Sequence, residues 1–152
     1  MILQNDGTSS LERESRFLGM LTQLITRHAD VLPVTHPVGR EHSSVKRTRE
    51  YIEAYHHKNL SLGQLSEVAN LSPFHFIRVF QREVGLAPHA YLNQTRVRKA
   101  KELLSKGWDI AAVAYQTGFV DQSHLTRHFK RIVGVTPGHF RNFVQDRLLR
   151  NL

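Results

Sequence analysis

Residues 121–137 read DQSHLTRHFKRIVGVTP, and residues 72–88 read SPFHFIRVFQREVGLAP. At an offset of 49, residues 72–91 and 121–140 share seven identities in 20: His75/His124, Arg78/Arg127, Phe80/Phe129, Arg82/Arg131, Val84/Val133, Gly85/Gly134 and Pro88/Pro137. Random pairing at ordinary residue frequencies would give about one. Upstream the match continues at an offset of 48, with Leu62, Leu65 and Leu71 over Ile110, Val113 and Phe119, so the second copy has one extra residue in its turn. A unit of helix, short turn and helix therefore occurs twice.

Local signals set the bounds of these helices. Ser61-x-x-Gln64 is a capping box that opens a short helix with Leu62, Leu65 and Val68 inward. After Asn70-Leu71-Ser72 a second helix runs from Pro73 to about Val84, where Gly85 supplies a left-handed stop. Pro88 suits a first helical position and opens a longer helix to about Ser105. Asp109 caps a helix from Ile110 to Thr117, and Gly118-Phe119-Val120-Asp121 turns into the helix Gln122 to Val133, stopped by Gly134. Thr136-Pro137 begins a last helix carrying Phe140 and Phe143, and another, from Ser44 to about His57, precedes the repeats with Val45, Thr48, Ile52 and Tyr55 on one face. No segment alternates as a strand would. The expected fold is all-α: residues 44–152 hold one helix-turn-helix at about 61–84 and another at about 109–133, joined by a linker helix at about 88–105.

The front of the chain differs from this body. Ser9-x-x-Glu12 fits a capping box, and Phe17, Leu18, Leu21, Leu24 and Ile25 recur at helical spacing, so a helix is expected over about 10–29. Residues 30–44, with Pro33, Pro37 and Gly39, read as a linker, which puts a boundary near residue 43. The apolar stripe of the 10–29 helix needs a partner, either the body of the same chain or a second copy.

Charge follows the same division. The chain has 21 Lys and Arg against 13 Asp and Glu, a formal charge of +8, and the whole excess lies after residue 40. A neutral front and a basic body point to a polyanion, either nucleic acid or an acidic membrane face. The longest unbroken apolar run, Ile110 to Tyr115, is far short of the ~20 residues that cross a bilayer, and the first seven residues lack the order of a secretory signal, so the cytosol is the default compartment. The absence of Cys excludes thiol nucleophiles and Cys-ligated metal. No GxxxxGK, HExxH or GxSxG motif occurs, and the acidic residues of the body are scattered singly, so an enzyme is the weakest reading.

A helix of ~10–12 Å diameter fits the major groove of B-DNA, where each base pair shows its own pattern of donors and acceptors. On the helix 122–133, Leu125, Phe129 and Ile132 or Val133 are expected to face the core, with Ser123, His124, Arg127 and Arg131 opposite. On 73–84, Phe76, Phe80 and Val84 are expected inward and Phe74, Ile77, Arg78 and Arg82 outward. Arg96, Arg98, Lys99 and Lys101 concentrate charge on the linker helix, where they suit phosphate contacts or form a solvated face. His124-x-x-x-His128 has metal-ligand spacing, yet Arg127 and Arg131 beside it repel a cation, and no metal or cofactor is assigned. The competing reading is a short helical repeat module that binds protein and not DNA.

Residues 44–146 resemble the DNA-binding domain of the AraC/XylS family of bacterial transcription regulators. The motifs that carry the resemblance are Leu62-x-x-Leu65 with Asn70-Leu71-Ser72-Pro73, Phe80-x-x-x-x-Gly85-x-x-Pro88-x-x-Tyr91-Leu92 and Arg96-x-x-x-Ala100-x-x-Leu103-Leu104. They continue with Ile110-Ala111-x-Val113-Ala114, Gly118-Phe119-x-Asp121-Gln122-Ser123-His124-Leu125-x-Arg127-x-Phe129-Lys130 and Gly134-x-x-Pro137-x-x-Phe140-Arg141. The resemblance implies that Phe74, Ile77 and Arg78, and Gln122, Ser123, His124 and Arg127, approach bases in successive major grooves. Arg82, Arg96, Arg98, Lys99, Lys101, Lys130 and Arg131 would hold phosphates. It implies an activator whose partners are double-stranded DNA and RNA polymerase, with a second copy of the chain through the 10–29 helix. Residues 1–43 would be the remnant of an effector and dimerisation domain, since forty neutral residues cannot form a jelly-roll barrel. Two departures stand out: Ser66 occupies a position usually held by Ala, and Phe74 and Ile77 are less polar than many family readers. Repair proteins that use the same domain with a reactive Cys are excluded by the absence of Cys.

Overall fold

The computed structural model describes residues 10–28 and 38–150. Eight helices follow one another among the described residues: α1 (Ser10–His28), α2 (Val38–Tyr55), α3 (Leu62–Ala69), α4 (Pro73–Val84), α5 (Pro88–Ser105), α6 (Ile110–Gln116), α7 (Gln122–Val133) and α8 (Pro137–Leu149). The all-α expectation holds. One boundary shifts: α2 begins at Val38, so residues 38–43, read above as linker, form its first turns. The rest of the linker reading, at 29–37, lies outside the described residues, as do the side chains of Leu24 and Ile25.

The chain divides into two compact units, each with its own core. In the first, formed by the described residues of 10–55 and by 59–92, Val45, Ile52, Leu62, Leu65, Ala69, Phe76, Val79, Phe80 and Leu92 are buried together. Ser61 accepts from the Gln64 backbone N–H at 3.2 Å while Gln64 accepts from that of Ser61 at 3.0 Å, so the capping box is closed. At the other end of α3, Arg47 of α2 donates to the Val68 and Ala69 carbonyls at 2.7 and 3.3 Å, satisfying groups that a helix end leaves open. The Ser66 hydroxyl, in its apolar position, donates to Gly63 O at 2.8 Å, which removes the cost of burying it.

α1 packs against α3 and α4 of this unit. Leu11 is fully buried, Leu18 packs against the core, and Glu14 accepts from the Leu62 backbone N–H at 3.3 Å. Part of the stripe is thus covered intramolecularly, whereas Phe17, Met20 and Leu21 stay exposed.

The second unit takes residues 56–58 and 93 onward, and buries Val97, Ala100, Leu104, Val113, Ala114, Phe119, Leu125 and Phe129. Ile110, Leu103, Val133 and Phe140 pack against this core. Phe143, expected with them, is 61% exposed, because α8 turns that side to solvent. Asp109 accepts from the Ala111 and Ala112 N–H groups, and Asp121 from that of His124 at 2.7 Å, which fixes where α6 and α7 start.

The repeat is also a repeat of backbone conformation. Asn70 (φ 55°) and Gly118 (φ 81°) are left-handed at the same point of the two turns. Asn tolerates that region better than most residues. At Gly118 a Cβ would lie 2.7 Å from His57 O, so only glycine fits. The substitution Gly118→Ala is expected to destabilise the chain by about 2–4 kcal/mol in urea denaturation. At Gly85 (φ 75°) a Cβ would meet nothing within 4 Å, and Gly85→Ala should cost only about 1 kcal/mol. Equal costs at the two sites would contradict the close approach at Gly118.

Candidate nucleic-acid interface

The amphipathic order of α7 decides what it can present. Leu125 and Phe129, both fully buried, hold one edge in the core. Gln122, Ser123, Arg127, Lys130 and Arg131 lie exposed along the other and, with Thr126, line one open shallow groove. Arg127 and Lys130 make no side-chain hydrogen bond or ion pair with any described residue. Their charges therefore remain available to an anion. Thr126 carries no motif of its own, and its place between Ser123 and Lys130 on a helical face is the signal that points to it.

Three expected site residues need correction. His124 is 4% exposed, with its ring 5.4 Å from Phe119 and 4.6 Å from His128 in edge-on contacts, so its side chain belongs to the interior of the second unit. Ile77 is 3% exposed in the first core and presents nothing outward. Arg96 is 3% exposed and donates to the His56 and Lys58 carbonyls at 2.8 and 2.9 Å, while its guanidinium lies 5.8 Å from the centre of the Phe119 ring. Burial pulls the Arg96 pKa down to about 10, which still leaves it charged at neutral pH. It ties the 56–58 segment to α5 and is not free for phosphate. The signal for this lay in its spacing: Arg96 falls one residue before Val97 and four before Ala100, on the inward side of the helix.

The other cations are placed as follows. Arg98 and Lys99 share Glu102, at 3.6 and 3.2 Å, so part of their charge is balanced within α5. Lys101 is exposed, with its ammonium 5.6 Å from the centre of the Phe140 ring. Arg131 donates to Nδ1 of His128 at 2.8 Å. Arginine can only donate, so Nδ1 carries the lone pair and His128 is neutral.

On α4 the face is narrower. Phe74 and Arg78 are half-buried and Arg82 is exposed. Arg78 donates to Nδ1 of His75 at 3.1 Å, and Arg82 pairs with the buried carboxylate of Glu41 from α2.

The chain is similar in sequence and fold to known proteins. A family model described as a helix-turn-helix domain matches residues 65–142. The chain is 36% identical over 124 residues to the uncharacterized HTH-type transcriptional regulator YbfI of Bacillus subtilis, covering 82% of this chain and 45% of YbfI. Among solved structures it is similar to the C-terminal domain of AraT, a response regulator from Geobacillus stearothermophilus, with a TM-score of 0.62 and 31% identity over 66% of this chain and 84% of that one. It is also similar to the DNA-binding domain of AdpA, a global transcriptional factor, in complex with a target DNA, with a TM-score of 0.66 and 27% identity over 68% of this chain and 95% of that one. The chain spans less than half the length of the first curated relatives it matches.

The buried histidine makes the second unit sensitive to acid. Burial, and then the charges of His124, Arg131, Arg127 and Arg96, lower the His128 pKa from 6.5 to about 3. Between those values the unfolded chain binds the proton and the folded one does not. The stability contributed by neutral His128 is thus complete above about pH 6.5 and falls by about 1.4 kcal/mol for each unit below it. Urea denaturation at about pH 7 and about pH 5 should show a loss of roughly 2 kcal/mol, and His128→Leu should remove most of that difference. An unchanged slope in His128→Leu would mean that other groups carry it.

Proposed function

The chain belongs to the AraC-type helix-turn-helix family, and from that membership we propose that it regulates transcription by reading double-stranded DNA with two recognition helices, α4 and α7, in successive major grooves. The observation that carries the reading is the outer edge of α7: two cations with no hydrogen-bond or ion-pair partner among the described residues, Arg127 and Lys130, beside the hydrogen-bonding side chains of Gln122, Ser123 and Thr126. Arg127 suits bidentate recognition of guanine, and Gln122 can both donate to and accept from a base edge. On α4, Arg78 and Phe74 are the base-reading residues; with fewer polar groups, this head discriminates less. Lys101, Lys130 and Arg131, with Arg98 and Lys99, supply sequence-independent attraction to phosphates.

The family and its matched relatives are regulators, and no catalytic role is assigned. The matches to HTH-type regulators also favour DNA over the helical protein-binding module considered above. RNA polymerase is the proposed protein partner, which makes the chain an activator, acting in the cytoplasm on the nucleoid. No described helix is long and apolar enough to cross a membrane. A second copy of the chain covering Phe17, Met20 and Leu21 of α1 completes the proposed partners. Sedimentation should then show a dimer that Met20→Asp converts to a monomer; a wild-type monomer at all concentrations would remove this partner.

Base reading and phosphate holding separate by mutation. Arg127→Ala should cost about 1–3 kcal/mol on a duplex selected by the wild-type chain and relax preference at one base pair, while Lys101→Ala should weaken selected and mixed-sequence duplexes alike. Equal losses on both duplexes for both variants would show that Arg127 does not read bases.

A further inference from the structure

The two repeats treat their matching arginines differently. Arg82 and Arg131 are equivalent by the offset of 49, near the C-terminal ends of α4 and α7. Arg131 bonds to a neutral histidine and keeps its full charge. Arg82 bonds to Glu41, whose carboxylate is almost fully buried and whose pKa is held below the usual range, by the Arg82 hydrogen bond first, against the upward push of burial. Glu41 stands in the first turn of α2, within residues 38–43, so the helical extension there is what brings the acid to α4.

The same carboxylate reaches a second group. Its other oxygen lies 3.0 Å from Nε2 of His75, and Nδ1 of His75 accepts from Arg78 at 3.1 Å. Arginine can only donate, so Nδ1 holds the lone pair and the ring proton sits on Nε2, on the side of the Glu41 carboxylate. Glu41, His75 and Arg78 thus form a chain of contacts ending at the base-reading side chain of α4, and Arg82 closes the other side of the carboxylate.

We propose that Glu41 is a positioning residue that sets specificity at the first reading head: it cancels the charge of Arg82, which suppresses attraction to any phosphate backbone, and through His75 it aims Arg78. This rests on the reading of α4 as a DNA-facing helix. Cancelling one cation at a nucleic-acid surface lowers affinity for all sequences equally, while orienting one arginine benefits the correct base alone. Orienting Arg78 raises the ratio of specific to non-specific binding, while cancelling Arg82 lowers the sequence-independent affinity and leaves that ratio unchanged.

The test uses the full chain, a mixed-sequence duplex and a duplex selected by the wild-type chain. Glu41→Gln keeps the side-chain shape and frees Arg82. It should bind the mixed-sequence duplex roughly fivefold to tenfold more tightly at about 0.1 M salt, with a log–log salt slope steeper by about 0.9, as one further phosphate is neutralised. Its preference for the selected duplex should fall. In E41Q/R82Q the pair is removed together, and the salt slope should return to the wild-type value. A Glu41 with a merely structural role would instead weaken binding to both duplexes without moving the slope, which overturns the proposal. Should Glu41→Gln fail to fold by circular dichroism, the double variant still decides: a slope shallower than wild type by about one would show that Arg82 already holds a phosphate. Failure of the wild-type chain to bind either duplex would overturn the DNA-binding reading itself, whereas normal wild-type binding with an unchanged E41Q slope overturns the role of Glu41 alone.

Discussion

α4 and α7 each depend on one apolar edge pressed into a core. Phe76 and Phe80 do this for α4, and Leu125 and Phe129 for α7, all fully buried. Removing a phenylalanine from such a position costs about 3–5 kcal/mol, a large share of what holds a small unit together. Because a helix has 3.6 residues per turn, anchoring these positions leaves residues such as Arg127, Lys130 and Arg131 on the side that cannot be buried. Presentation of the charged face is thus a consequence of packing, and the left-handed residues Asn70 and Gly118 let the chain turn sharply enough to make it twice.

The two heads are built alike and tuned apart. On α7 Arg127 and Lys130 have no hydrogen-bond or ion-pair partner among the described residues and Arg131 meets a neutral histidine, so the face keeps its positive charge. On α4 a buried carboxylate from α2 takes up Arg82 and contacts His75. Sequence repetition therefore conserves the scaffold, namely the aromatic anchors, the caps and the glycine stops. The electrostatics are set by a neighbouring helix that is not itself repeated.

Most of the scaffold was legible because its signals are local. Ser61, Pro88, Asp109 and Pro137 act on the backbone within one turn to start α3, α5, α6 and α8, and Gly85 and Gly134 likewise end α4 and α7. The failures came where a tertiary neighbour decides. His124 and Ile77 were expected outward from residue type or resemblance, yet both sit one position from a core anchor, on the inward flank of their helices. Arg96 was grouped by charge with Arg98, Lys99 and Lys101, although its backbone carbonyl partners come from residues 56–58, far off in sequence. Residues 38–43 were read as linker from Pro37 and Gly39, but Pro is compatible with the approach to a helix and the glycine is tolerated within one. Glu41, found there, had no local signal at all.

In the proposed function the exposed edge of α7, with the cations of α5, meets the phosphates and bases of a duplex. The most direct test is the affinity of the full chain for duplex DNA measured across a series of salt concentrations. With Lys101, Arg127, Lys130 and Arg131 engaged, log affinity should fall linearly with log salt with a slope of about −3 to −4. A flat response, or no measurable binding at low salt, would contradict it.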